Sequence, residues 1–339
     1  MAEEPEKTIS IGVVGAGIGG LAAALSLLRA GFDIHVFEQA RALREVGAGI
    51  QVSPNASRIL HRLGLADELA AMGVRPDAFH QRRWDDGRTL LRTPLGDTVV
   101  EAFSFPHYQM HRADLLNALI RKLPAHRIHL GHRLMGFVDR GRRVQATFEN
   151  GVEIEVDLLV GADGIHSIVR SIMLGAATPH FTGCVAYRGL VPADRLKHLD
   201  LEVTAEIWMG PGAWALFDRA PLERWSTGRV TLLGDSCHPM LPFMAQGAAQ
   251  ALEDGATLTA CLIREADVPT ALRLYEHVRL PRASRMQAMS ATNKTRFHLP
   301  DGPEQEERDA VMASGSTDFS IKAVAWIYRH DAGRLEPAV

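Results

Sequence analysis

The chain has 339 residues, with 46% hydrophobic and 23% charged side chains. That balance excludes disordered, collagen-like and disulfide-scaffold proteins, and the length suits roughly two domains at about 150 residues each. Lys plus Arg number 37 against 40 Asp plus Glu, a net charge of −3, so nothing points to nucleic acid or an anionic membrane. The three cysteines, Cys184, Cys237 and Cys261, form no CxxC pair. This fits a reducing, cytoplasmic setting and no cysteine zinc cage. The 15 histidines show no HExxH spacing, so no metal site is expected.

Residues 8–14 read as a short buried strand, 15–20 as a glycine turn and 21–30 as a helix ended by Gly31. Residues 33–38 form a second strand. This strand–turn–helix–strand unit opens a doubly wound sheet. Residues 9–28 lack a charge over 20 positions, close to the length of a membrane span. Five glycines interrupt them, and the preceding MAEEPEKT is acidic where a secretory signal is basic. No membrane role is expected.

Further along, residues 55–65 read as a helix with Asn55 or Ser53 as its cap. Residues 78–111 carry short strands with a turn at Asp86-Gly87, and 112–123 are an amphipathic helix. In 143–157, apolar and polar residues alternate on both sides of Asn150-Gly151, the pattern of a type I′ hairpin with one buried face. A strand at 158–161 enters GADGIHS. Strands follow at 181–191, 203–209 and 229–233. Residues 247–264 form a strong helix, 269–298 are mostly helical, and the polar tail carries a short apolar helix at 323–328.

Three motifs carry chemistry. In Gly15-Ala16-Gly17-Ile18-Gly19-Gly20, Gly15 permits a tight turn, Gly17 lets backbone approach a pyrophosphate, and Gly20 allows close packing. The helix that follows aims free N–H groups at a phosphate. Glu38, beside Gln39 at the end of the second strand, is placed to hold ribose hydroxyls. The second motif, Gly161 to Ser167 with Arg170, is either a capped turn or part of a ligand site. The third runs from Gly234-Asp235 through His238 and Pro242 to Gly247. It puts an aspartate at a strand tip, and the next helix N-terminus, with Gly247 and Ala248, faces an electron-rich ring edge.

GAGIGG with Glu38, then HRADL at 111–115, GADGIHSIVR, and LLGDSCHPMLPFMAQGAAQALED occur in the order seen in class A flavoprotein monooxygenases. The chain resembles the salicylate, 3-hydroxybenzoate and 6-hydroxynicotinate hydroxylases of that group. The resemblance implies an α/β fold: a doubly wound, Rossmann-like FAD-binding domain at 1–75, 112–179 and 229–298. A reduced β-rich substrate domain interleaves at 76–111 and 180–228, and a helical tail occupies 299–339. It implies that Gly15, Ala16, Gly17 and Gly20 surround the FAD pyrophosphate, and that Glu38 and Gln39 meet the adenosine ribose. It places Arg112 at the phosphate–ribityl region, Leu134 at adenine, Asp163 in an FAD and NAD(P)H motif, and Asp235 at the ribityl chain. Pro242, Gly247 and Ala248 border the isoalloxazine.

The reaction so implied reduces FAD with NADH or NADPH. Molecular oxygen then forms a flavin C4a-hydroperoxide that hydroxylates a small aromatic acid. A homodimer is compatible with the resemblance. His238 is either a base or a histidine that orients its loop. Gln51 stands where some relatives carry a histidine base, and glutamine takes no proton at neutral pH. Tyr187 and Arg188 face either substrate or one polar side of a strand, and Arg188 would pair with a carboxylate.

One departure stands out. Gly210-Pro211-Gly212-Ala213 runs directly into Trp214, where relatives have several tens of intervening residues. A substrate sheet lacking those strands leaves the site open to water. The alternatives are therefore a non-catalytic FAD-binding remnant or an oxidase releasing hydrogen peroxide, and, within the flavoproteins, an epoxidase or urate-type hydroxylase. A plain NAD dehydrogenase leaves the Asp163 and Asp235 motifs unexplained.

Overall fold

A parallel sheet organises the molecule. The computed structural model describes residues 8–43, 49–182, 190–199, 201–210, 217–315 and 320–335. The sheet's strand order is Ser226–Thr227, Val230–Leu232, Leu158–Gly161, Ser10–Val14, Asp33–Glu38 and Ile128–Leu130, all parallel except the first pair. Its apolar runs are buried on both faces, as parallel strands require. Ser10–Val14 and Leu158–Gly161 are almost entirely inaccessible. The uncharged stretch at 9–28 is thus one strand, a turn and the helix Ile18–Arg29. Among the described residues no helix is long and apolar enough to cross a membrane.

Two helices cover the sheet at close range. Ile18–Arg29 crosses Gly247–Arg264 where Gly255 meets Ala23; a Cβ on Gly255 would lie 2.8 Å from the Ala23 Cα. The long helix Val268–Phe297 packs outside them and tolerates Pro281 in its interior. The Val144–Phe148 and Glu153–Val156 hairpin pairs as expected, with Val144, Ala146 and Phe148 buried. Its turn differs from type I′. Gly151 N–H donates to Phe148 O (2.9 Å), and Gly151 alone, at φ +82°, is left-handed. A type I′ turn requires two such residues. Asn150 instead accepts the Val152 N–H on its side chain, the local bond that lets it keep an ordinary φ.

The second sheet is small, as the sequence implies. Thr204–Met209 pairs parallel with Ala78–Arg83, which pairs antiparallel with Thr89–Pro94. The turn between the latter two holds Gly87 at φ +71°. A helix the sequence pattern did not reveal, Gly96–Phe103, follows. The tail packs back onto the body. Val324, Ile327 and Tyr328 join Leu95, Val99, Phe103 and Met244 in one apolar cluster.

Candidate functional site

The parallel strands end together, and the motifs stand at their C-terminal ends, where open α/β sheets bind ligands. Gly15 adopts φ +107°, and a Cβ there would lie 2.4 Å from Ala162 O. Gly20 is fixed by the same turn: its Cβ would lie 2.1 Å from Gly15 O. Gly17 is different. It is the N-cap of the Ile18–Arg29 helix, and an added Cβ would meet nothing within 4 Å. The missing side chain leaves open space in front of helix N–H groups that no side chain caps.

Two clefts flank this turn. One, of about 330 Å³, is lined by Gly15, Gly17, Glu38, Gln39, Leu134 and Asp163, among others. Glu38 also braces the turn: Oε2 accepts from Ala16 N–H and Oε1 from Ala40 N–H, both at 2.8 Å. Ser167 caps the Ile168–Leu174 helix by accepting from Arg170 N–H (2.9 Å), and Asp163 braces the same turn. Asp163 accepts from Ser167 Oγ (2.5 Å) and from the Ile168 and Val169 amides (2.7 and 3.2 Å). Burial raises its pKa, and those hydrogen bonds pull it back. The turn is thus internally satisfied, and Asp163 also lines the cleft.

The other cleft, of about 410 Å³, is lined by Gly17, Arg112, Asp235, Pro242, Gly247 and Ala248, among others. The Asp235 pKa is raised by the surrounding protein and lowered in turn by His238 and Arg112. Pro242 opens a 3-10 turn that ends on Ala245, left-handed at φ +50°. That turn delivers the chain into the Gly247–Arg264 helix, whose N-terminus no side chain caps. Its free amides and positive dipole end face the cleft.

Beneath this cradle lies a buried ionic network that motif reading missed. Arg279 donates to Asp254 Oδ1 (2.8 Å), Glu253 Oε2 (2.7 Å) and Gln250 Oε1 (2.8 Å). Arg282 grips both Glu253 oxygens, and Asn55 donates to Glu253 Oε1. Burial alone would raise the Glu253 pKa, but Arg279 and Arg282 hold it down at about 2. The signal was present: two adjacent acids, Glu253 and Asp254, in an otherwise apolar helix require cationic partners.

His238 belongs to this network. It is fully buried, its Nε2 lies 2.6 Å from Asp254 Oδ2, and its ring packs on Trp225. It lines neither cleft. Cys237, His238 and Asp254 bring ligand-type atoms within 4.8 Å of one another. Yet Asp254 already accepts from Gly234 N–H and Arg279, and burial pushes the Cys237 thiol well up.

A third cavity, of about 510 Å³, adjoins the second. Gly49, Gln51, Pro242 and Ala245 line both. Its remaining wall is mainly apolar, with Phe79, Leu95, Phe243, Ile207, Ile327 and Tyr328. Gln51 accepts from Gln109 Nε2 at 3.4 Å, across the Gly49–Val52 and Tyr108–His111 strand pair. Tyr187, Arg188 and the Ala213–Trp214 junction lie outside the described residues, as does most of the strand expected at 181–191.

The doubly wound sheet, its glycine turn and the clefts beside it have the form of a dinucleotide-binding protein. Comparison with known proteins narrows this. The sequence profile of the FAD binding domain matches residues 8–187 and 213–290. The chain is 38% identical over 385 aligned residues to 3-amino-4-hydroxybenzoate 2-monooxygenase of Streptomyces cremeus, covering 97% of each. It is 34% identical over 348 residues to 6-hydroxynicotinate 3-monooxygenase of Pseudomonas fluorescens, covering 84% of this chain and 90% of that one. Its fold matches a salicylate hydroxylase substrate complex with a TM-score of 0.79 at 24% identity over 97% of both chains. The chain belongs to the FAD-dependent aromatic monooxygenases, the family of single-ring hydroxylases, and FAD is its cofactor. The 385 aligned positions exceed the 339 residues present, so several tens of positions in that relative have no counterpart here.

Proposed function

We propose that this enzyme uses NADH or NADPH and molecular oxygen to hydroxylate a small hydroxylated aromatic acid. One observation carries the reading. The apolar cavity and the cleft beside the Gly247–Arg264 N-terminus share the wall formed by Gly49, Gln51, Pro242 and Ala245. A planar ring in the cavity would therefore lie against whatever fills that cleft.

The open space at Gly17 and the two uncapped helix N-termini suit a long, phosphate-bearing cofactor. In this reading Gly15, Ala16, Gly17 and Gly20 surround the FAD pyrophosphate. Glu38 and Gln39 meet the adenosine ribose, Leu134 the adenine and Arg112 the phosphate–ribityl region. Asp235 holds the ribityl chain, and Asp163 keeps its turn beside the cofactor. Pro242, Gly247 and Ala248 border the isoalloxazine. His238 orients the loop after Asp235 rather than acting as a base. Bound FAD supplies the redox chemistry: two electrons from NAD(P)H, one oxygen atom to the ring and the other to water. The protein orients the ring and excludes water.

Among the described residues lining the cavity, none is lysine or arginine. Arg188, which lies outside the described residues, is the partner we propose for a substrate carboxylate on the family resemblance alone.

The test is a stoichiometry on the FAD-loaded protein. NADH or NADPH consumed, product formed and hydrogen peroxide released are measured with 3-amino-4-hydroxybenzoate, 6-hydroxynicotinate, 3-hydroxybenzoate and salicylate. Close to one product per reduced nucleotide is expected with at least one of them. Peroxide alone with every substrate would replace the hydroxylase reading with that of an oxidase.

A further inference from the structure

Tyr328 is the last residue of the short tail helix Ala325–Tyr328. Two arginines hold this end of the tail. Arg282 donates to the Trp326 and Ile327 carbonyls, at 3.1 Å each, and Arg58 donates to those of Arg329 and His330. Carbonyls at a helix end need such donors. The Tyr328 ring stands edge-on to Phe103, with centroids 5.4 Å apart, and to the buried His107 at 6.3 Å. The ring is thus fixed as part of the wall of the 510 Å³ cavity.

Its hydroxyl differs from the other polar groups on that wall. Gln51 pairs with Gln109, Gln246 with Ser53 and Asn55, Glu206 with Arg82 and Trp208, and Thr204 with Glu206. The Tyr328 hydroxyl has no hydrogen-bond partner among the described residues. His107 is unpaired as well, but both its nitrogens are sealed from accessible space. The Tyr328 hydroxyl is not sealed, although the residue is only 9% exposed and burial pushes its pKa up. A group that deep and still accessible opens into an internal space, and the space it lines is this cavity. Tyr328 does not line the cleft beside Asp235, so it meets the part of an occupant turned away from that cleft.

We infer that Tyr328 touches the substrate, donating a hydrogen bond from its hydroxyl to the carboxylate, and so selects aromatic acids and sets the angle of the ring. A phenol that stays protonated at neutral pH is a donor there. A hydrogen bond to a charged acceptor is roughly twice as strong as one between neutral groups. A donor without charge also adds no second ion to an apolar wall. The ring carbon to be hydroxylated faces the wall shared with the cleft, and a hydroxyl ortho to it stays close by. The acid group is then left for the far end, where Tyr328 stands. A carboxylate has two oxygens, so Tyr328 and the proposed Arg188 share it. The assignment rests on the aromatic hydroxylase reading for the class of occupant.

The test uses three probes of similar size: benzoate, phenol and toluene. FAD-loaded native protein and Tyr328→Phe are titrated with each, read by the change in flavin absorbance. The ratio of benzoate to toluene affinity should fall at least about tenfold in Tyr328→Phe, the worth of one hydrogen bond to a charged group. Toluene and phenol affinities should stay within about threefold, since the ring of the variant keeps its shape. A second measurement needs no variant. In native protein labelled with carbon-13 at tyrosine Cζ, benzoate should shift the Tyr328 signal and toluene should not.

An unchanged benzoate ratio or an unmoved Tyr328 signal overturns the inference, as does native protein that binds none of the probes. A loss confined to phenol overturns it too, because the hydroxyl would then serve a ring oxygen. If benzoate binding depends on Tyr328 but no aromatic acid is hydroxylated, the contact stands and the hydroxylase reading falls.

Discussion

Arg279 places one guanidinium between Glu253 and Asp254, 2.7 Å from the first and 2.8 Å from the second, with all three side chains fully buried. Asp254 in turn holds the Gly234 amide and His238, and Glu253 holds Asn55. The strand tip bearing Asp235 and the helix start at Gly247 are thus tied to one ionic core. The cleft beside Asp235 and Gly247 is shaped by charges that do not line it.

Removing Arg279 strands two buried carboxylates. Arg279→Met should destabilise the protein by about 4 kcal/mol, the usual cost of breaking a buried ion pair. Denaturant unfolding measures this. Adding Glu253→Gln and Asp254→Asn should return part of the loss, because the three residues act as a unit.

The turn glycines should separate by role. Gly17→Ala places a methyl in open space, so thermal stability should hold while FAD affinity falls about tenfold from crowding in the cleft. Gly20→Ala meets Gly15 O and should cost about 2 kcal/mol or more of stability. Melting curves of the apoprotein and flavin titrations distinguish the two.

His107 makes stability depend on acid. Its pKa falls from 6.5 in the unfolded chain to about 4 in the fold. Its contribution is therefore complete above pH 6.5 and is lost as the pH drops toward 4. At about pH 5 the loss should reach roughly 2 kcal/mol. His107→Phe should remove that part of the acid sensitivity, seen as a flatter dependence of unfolding free energy on pH. Glu253, held at about 2, adds its own loss only below 4.5.

The tail should behave as part of the cavity. Ile327 is 1% exposed in the cluster with Leu95, Val99 and Phe103, and it lines the 510 Å³ cavity. Ile327→Ala should cost about 3 kcal/mol. It should also raise hydrogen peroxide released per NADH consumed, as water gains access.

Local chemistry made much of this protein readable in one dimension. The strand Asp33–Glu38 and the helix Gly247–Arg264 fall at the bounds their sequence patterns set. The reason is that glycine, capping and periodicity act over a few residues. The same holds for the glycine turn, the Glu38 strand end and the Asp235 tip, whose roles depend on backbone geometry. Pattern reading gave the hairpin but not the detail of its turn. The Asn150-Gly151 turn took a single left-handed residue because Asn150 bonds to its own loop. For His238 the sequence left two readings open, a base or a histidine that orients its loop, and Asp254, in the next helix, draws it into the core.

His107, the partners of Arg279 and the tail that walls the cavity have no signature of their own. Burial without a partner, charge pairing across 25 or 26 positions and a cavity wall built from residues 49 to 328 exist only once the chain has closed on itself. Sequence fixes the cofactor class because phosphate binding is a local backbone property. Tertiary structure decides the substrate pocket, because shape and desolvation belong to surfaces that several distant segments make together.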